Sequence, residues 1–384
     1  MRRFTTATLA LTLAATGALA GAAVVAAQDG SDLKIGLVTD VGTINDRNFN
    51  QYSWEGTQTG AEAVGAGEPQ YAISQASADI APNIQAFVDQ DYDIIVTVGF
   101  AAGEDTLKAA EANPDIWFVG VDQGPPPESE NYIGIYWREA EPGYLAGVVA
   151  ASLSETGHIA TVGGTAVIPP VVNYIEGYAN GARSVNPDID VTVAYVSEAA
   201  DAAAFADPAG GATFTQQLLA QDPDIDVVFQ VAGLTGNGVL QAACDAGIKA
   251  IGVDVDQYIS TPETAECTIV SAEKKLSKNV NDAIVSIVEG NPSPGINVLG
   301  LDTGDVGLSS FHEFEDLISD ETREAIAAAE AGLTDGSLTA CEQDETTEGD
   351  GGDERDAAQA PDLSRVHGSR RVRDRTGPGE IFVI

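Results

Sequence analysis

Residues 93–105 read DIIVTVGFAAGED, and residues 226–238 read DVVFQVAGLTGNG. Each is an acid, a run of apolar and β-branched residues, and then a glycine-containing turn that opens a helical stretch. The likeness continues downstream. FVGVDQ follows the first stretch at Phe118, and AIGVDVDQ follows the second at Ala250. Upstream, Lys34-Ile-Gly-Leu-Val-Thr-Asp40 has a counterpart in His158-Ile-Ala-Thr-Val-Gly-Gly164. Repetition of a strand–turn–helix–strand unit implies two similar lobes. The strand runs are continuously apolar rather than alternating, as expected where helices cover both faces of a sheet. The fold class is therefore α/β, with two doubly wound parallel sheets.

Working outward, strands are predicted at 34–39, 93–98, 116–121, 158–162, 191–196, 226–231 and 249–253. Helical spacing joins Ile80, Ile84, Phe87 and Val88, and also Tyr144, Val148 and Leu153. Asp40, Asp122 and Asp254 each stand just after a strand, in the two halves. A lone aspartate there reads most simply as a helix cap or Asx turn. Three of them at equivalent strand ends point instead to a shared cleft, because open parallel sheets bind ligands beyond the carboxyl ends of their strands.

The chain has 384 residues, with 59 acids against 18 Lys and Arg. The net −41 lies wholly within residues 28–345, which hold 51 acids and 10 bases. Such a body excludes a nucleic acid polymer as partner, since phosphates need a basic face. It is expected to present a solvated acidic surface suited to salty surroundings. No calcium-binding loop of the Asp-x-Asp-x-Asp-Gly type occurs, and neither a cofactor nor a metal is expected. Arg2-Arg3 and the Ala-rich run to Ala27 read as an export signal, residues 1–27. Residues 340–384, acidic and then Arg-rich, read as a disordered tail. Cys244, Cys267 and Cys341 allow one disulfide at most, with Cys244–Cys267 and Cys267–Cys341 both open.

The segment from Asp40 to Gly56, DVGTINDRNFNQYSWEG, resembles the signature of the basic membrane protein family, the PnrA-like nucleoside-binding proteins of ABC transporters. The likeness extends through Val121-Asp122, Phe205-Ala-Asp207-Pro208, FQVAGLTGNG at 229–238, IGVDVDQY at 251–258 and Ser271-Ala-Glu-Lys274, and spans roughly residues 33–335. Arg47-Asn48 stands where the family has Lys-Ser. The family's lipid-bearing cysteine is missing after the apolar run, so an exported protein held only through its permease is expected.

The resemblance implies a type I periplasmic binding protein-like fold, two lobes joined by a hinge of several crossovers. Lobe one would take residues 32–150 plus about 272–305, and lobe two residues 151–271 plus about 306–335. It implies a monomer that captures a purine nucleoside and hands it to an ABC permease. Phe49 and Phe205 would stack on the base from opposite lobes. Asp40, Asn50 and Asp122 would serve its polar edge, Asp254 the sugar diol, and Lys274 a sugar oxygen. Gly233 would let backbone approach closely. Asp256, two residues beyond Asp254, leaves that assignment open by one turn of alternation.

The competing class is a secreted nucleoside hydrolase or phosphorylase, and a third reading is a binder of another sugar- or base-like solute. No Gly-x-Ser-x-Gly elbow, Walker A sequence or Gly-x-Gly-x-x-Gly after the first strand occurs. Non-catalytic binding is the expectation.

Overall fold

The structure, a computed structural model, describes residues 32–123, 129–199 and 201–341. The expected signal segment, and the tail beyond residue 341, lie outside the described residues.

The chain runs β1 (Ile35–Val41), α1 (Phe49–Val64), β2 (Gln70–Ser74), α2 (Ile80–Val88), β3 (Ile94–Val98), α3 (Gly103–Ala112), β4 (Trp117–Val121) and β5 (Tyr132–Trp137). It continues with α4 (Ala140–Leu153), β6 (His158–Thr165), α5 (Pro169–Val185), β7 (Asp190–Ser197), α6 (Pro208–Gln221), β8 (Val227–Val231), α7 (Gly233–Ala246), β9 (Lys249–Asp254), α8 (Gln257–Ser260) and β10 (Thr268–Lys274). It closes with α9 (Leu276–Val288), β11 (Gly295–Leu299), β12 (Val306–Leu308) and α10 (Asp320–Asp335).

Two six-stranded sheets form, in the orders β11-β5-β4-β3-β1-β2 and β12-β10-β9-β8-β6-β7. Every pairing is parallel except β12 on β10. The quoted stretches occupy equivalent places: β3 sits between β1 and β4, and β8 between β6 and β9. All five residues of each strand are buried, which is why both read as unbroken apolar runs. The strands that the pattern does not disclose are mostly peripheral. β2 and β11 are half-exposed edge strands, and their residues carry no continuous apolar signal.

The lobe boundary at residue 150 needs correction. α4 packs on α5 of the second lobe, and Tyr144, Leu145, Val148 and Val149 join its core. Two glycine pairs bring the helices into contact. A methyl group on Gly143 or Gly147 would overlap the Tyr174 or Tyr178 carbonyl, and one on Gly177 or Gly181 would overlap those of Ala140 or Tyr144. The chain therefore crosses between sheets three times: between Trp137 and Ala140, between Lys274 and Leu276, and between Leu299 and Val306.

Polar contacts tie these crossings together. Trp137 Nε1 donates to Asn279 Oδ1 at 3.1 Å, and Asn279 Nδ2 donates to Asp305 Oδ1 at 2.8 Å. Arg138 Nε donates to Glu141 at 2.6 Å, and the Leu301 N–H donates to the other Glu141 oxygen at 2.6 Å. Of the two disulfides left open by the sequence, Cys244–Cys267 forms, joining α7 to the start of β10 across a Cα separation of 5.4 Å. Cys341 is buried in the second lobe's core.

Candidate functional site

The ends of β1, β4, β9 and β10 converge on one cavity between the lobes. It is partly open to solvent, with about 710 Å3 of non-atom space when that open region is included. Asp40, Phe49, Asn50, Asp122, Phe205, Gly233, Asp254 and Lys274 all stand on its wall. The two aromatics come from opposite lobes. Phe49 is the first residue of α1, and Phe205 ends a short 3-10 turn over residues 202–205.

The strand-end aspartates are not helix caps. Asp122 and Asp254 adopt left-handed backbone conformations, with φ of 59° and 66°. That region costs a non-glycine residue energy and persists where the surroundings enforce it, commonly at functional sites. The same strained step ends the same motif in both halves, so the duplication extends to backbone geometry. Gly233 also has a left-handed φ of 54°, as a turn entering α7 requires. Capping falls to other acids. Asp207 caps α6 by accepting the Gly210 N–H at 2.9 Å, so it is a structural acid rather than part of the cavity wall. Asp46 accepts the N–H groups of Asn48, Asn50 and Gln51 at 2.9–3.0 Å, serving the first turn of α1.

Lys274 is the electrostatic centre. Its Nζ donates to Asp122 at 2.6 Å and lies 3.2 Å from Glu139 and 3.8 Å from Asp254. The rings of Trp137, Tyr174 and Phe49 surround it at 5.2, 5.4 and 5.6 Å. Burial alone would pull the Lys274 ammonium down, but the carboxylates of Asp122, Glu139 and Asp254 outweigh it and hold it above the ordinary lysine range. Burial raises Asp254 to about 6, against the opposing pull of Lys274, and pushes Glu139 up to about 8. Lys274 thus gives one hydrogen bond, to Asp122, and lies within ion-pair reach of Glu139 and Asp254 while standing on the cavity wall.

Asp40 is packed tightly. Its Oδ1 accepts the Val41 N–H at 2.7 Å, and its own N–H donates to Asn50 Oδ1 at 3.0 Å. A side chain at Gly99, whose φ is 95°, would overlap the Asp40 carboxylate. Burial, with smaller repulsion from Asp122 and Asp46, raises Asp40 to about 6. Asn50 uses both ends of its amide: the oxygen takes the Asp40 N–H, and one Nδ2 hydrogen goes to Asp46 at 3.1 Å. It positions Asp40, and Nδ2 keeps its second N–H beyond the one given to Asp46, on a residue that lines the cavity.

Of Asp254 and Asp256, the structure places Asp254 at the cavity. Asp254 stands on the cavity wall, whereas the Asp256 carboxylate lies 2.7 Å from His312 Nε2 at the head of α8. Glu139, Trp137 and Tyr174 escape the sequence reading. Glu139 is one acid among many in an acidic chain, and only the crossing after β5 brings it beside Lys274. Between the lobes, Asn237 Nδ2 also donates to the Asp46 carbonyl at 3.1 Å, and Arg47 pairs with Glu263 at the surface.

Residues 34–332 match the family described as ABC transporter substrate-binding protein PnrA-like. The chain is 31% identical to the ABC transporter nucleoside-binding protein BmpA of Lactococcus lactis, over 80% of this chain and 89% of that protein. It is 29% identical to a Pyrococcus furiosus protein described as an uncharacterized lipoprotein, over 72% and 70% of the two chains. Among solved structures, an ABC transporter solute-binding protein from Aeropyrum pernix superposes with a TM-score of 0.72 at 24% identity, over 80% of this chain and 92% of that one.

Proposed function

Since the chain belongs to the PnrA-like family of ABC-transporter substrate-binding proteins, we propose that it captures a purine nucleoside between its lobes and delivers it to a membrane permease. Members of this family work outside the cytoplasm, and the Lactococcus relative carries nucleoside binding in its name. The observation that carries the reading is the placement of Phe49 and Phe205, from opposite lobes, on one largely apolar cavity that also holds four aspartates and Lys274. Two aromatic faces from opposite lobes suit a flat base, each contact contributing roughly 1–3 kcal/mol. Asp254, with a buried cation behind it, suits the vicinal hydroxyls of ribose. A neutral nucleoside avoids the repulsion that phosphates would meet here.

Capture without chemistry is the reading for the site, with the ligand bridging the lobes and the closed form read by the permease. Calorimetry of the purified chain with guanosine, inosine, adenosine, ribose and adenine tests it. Saturable heat with at least one nucleoside, and none with ribose or free base alone, is the expected result. Absence of heat with every nucleoside would overturn it. Release of free base during the titration would replace it with the enzyme reading.

A further inference from the structure

A hydrogen bond joins the lobes well away from the three crossings. Asn237, in the second turn of α7, donates through Nδ2 to the Asp46 carbonyl at 3.1 Å. The crossings attach at β5 and β11 in the first sheet and at β10 and β12 in the second. Asp46 follows β1, three strands from β5, and Asn237 follows β8, two strands from β10, offsets of roughly 10–15 Å at ordinary strand spacing. A rotation about the crossings therefore parts the two groups.

The bond is prepared from both sides. Gln257 Nε2 donates to Asn237 Oδ1 at 3.1 Å, which fixes the amide with its N–H groups toward the first lobe. The Gln257 oxygen accepts in turn from Gln230 Nε2 and the Val253 N–H, and both glutamines are wholly buried. Across the gap, the Asp46 carboxylate accepts from Asn50, whose oxygen accepts the N–H of Asp40 on the cavity wall. The duplication supplies a comparison. Gln123 follows the first GVD step as Gln257 follows the second, and it donates to Thr97, the counterpart of Gln230, at 2.8 Å. The counterpart of Asn237 is Glu104, which pairs with Lys108 of its own helix. The same network thus stays inside the first lobe but leaves the second through Asn237. Arg47, at a left-handed φ of 60°, also pairs with Glu263 of the second lobe, but both side chains are about half exposed and such pairs contribute little.

We propose that Asn237 is a positioning residue that latches the closed form, so that its bond to Asp46 sets how long a captured nucleoside stays. The assignment rests on the nucleoside capture proposed above. Apparent affinity scales with the fraction of molecules in the binding-competent form, and the latch raises that fraction. Entry into the open form is spared, so its loss falls on dissociation.

Stopped-flow kinetics on the full chain test this, with whichever of guanosine, inosine and adenosine binds. Asn237→Ala removes the donor. Asn237→Asp keeps the oxygen that Gln257 holds and sets a second oxygen against the Asp46 carbonyl. Each variant is expected to release nucleoside roughly 3- to 10-fold faster, as loss of one hydrogen bond implies, with association within about twofold. A residue that only stabilises α7 would not produce that split between the two rates. Unchanged dissociation, or association slowed in proportion to the lost affinity, would overturn the latch and leave nucleoside capture standing. No binding of any nucleoside by the unaltered chain removes both. Should the Ala variant fail to fold, the Asp variant, which keeps the Gln257 contact, decides alone.

Discussion

The ammonium of Lys274 lies 2.6 Å from the Asp122 carboxylate, although β10 and β4 belong to different sheets. The pair is a buried ionic bond across the lobes, placed where two crossings meet. Removing one member of such a pair leaves uncompensated charge, which costs about 3–5 kcal/mol. Lys274→Met would leave Asp122, Asp254 and Glu139 facing one another. Its guanidinium unfolding midpoint is expected to fall accordingly. A midpoint equal to that of the unaltered chain would show that these acids are protonated in the fold.

Phe49 and Phe205 are half-buried and stand on the cavity wall rather than in the interior of a lobe. Phe49→Ala and Phe205→Ala are each expected to weaken nucleoside binding by about 1–3 kcal/mol, with smaller changes in thermal midpoint. Titration calorimetry alongside differential scanning calorimetry separates the two effects. Loss of stability with unchanged affinity would reduce both rings to packing.

Much of this was legible in the sequence, and the reasons are particular. The duplicated strands β3 and β8 are buried on both faces, so their composition announces them. Asp122 and Asp254 are legible because the same GVD step occurs twice. Glu139 is not, because its role depends on the crossing after β5. Asn50 stands in the recognised motif, but only coordinates reveal that its amide bonds to both Asp40 and Asp46. The lobe boundary was misplaced because α4 is apolar nearly all round, and its glycine contacts with α5 decide which lobe it joins.

Asp40 carries a pH signature. Its folded pKa is raised to about 6 from the ordinary 3.8. Between those values the folded chain keeps a proton that the unfolded chain has released, so this group's contribution to stability falls as pH rises through the window. Asp40→Asn removes the titration. The variant should therefore gain on the unaltered protein between pH 4 and pH 7, by on the order of 1–3 kcal/mol. Denaturant midpoints of both proteins at pH 4, 5.5 and 7 measure it. A difference that does not change with pH would contradict it.

The Cys244–Cys267 disulfide closes a short loop wholly within the second lobe. Its loss in the Cys244→Ala, Cys267→Ala double variant is expected to cost about 2–4 kcal/mol while leaving nucleoside affinity within about twofold. Thermal unfolding and calorimetry check the two halves of that statement. A large drop in affinity would connect the bridge to the cleft.

Three separate chain passages between the sheets have a mechanical consequence. Two rigid bodies joined along a line of several short links retain one easy rotation, with twisting and sliding suppressed. The relative placement of the lobes is then described by a single coordinate. One pair of fluorophores, one on the far edge of each sheet near β2 and β7, would follow that coordinate completely. If the lobes close on ligand as proposed, that pair would report binding optically, with a signal set by one angle.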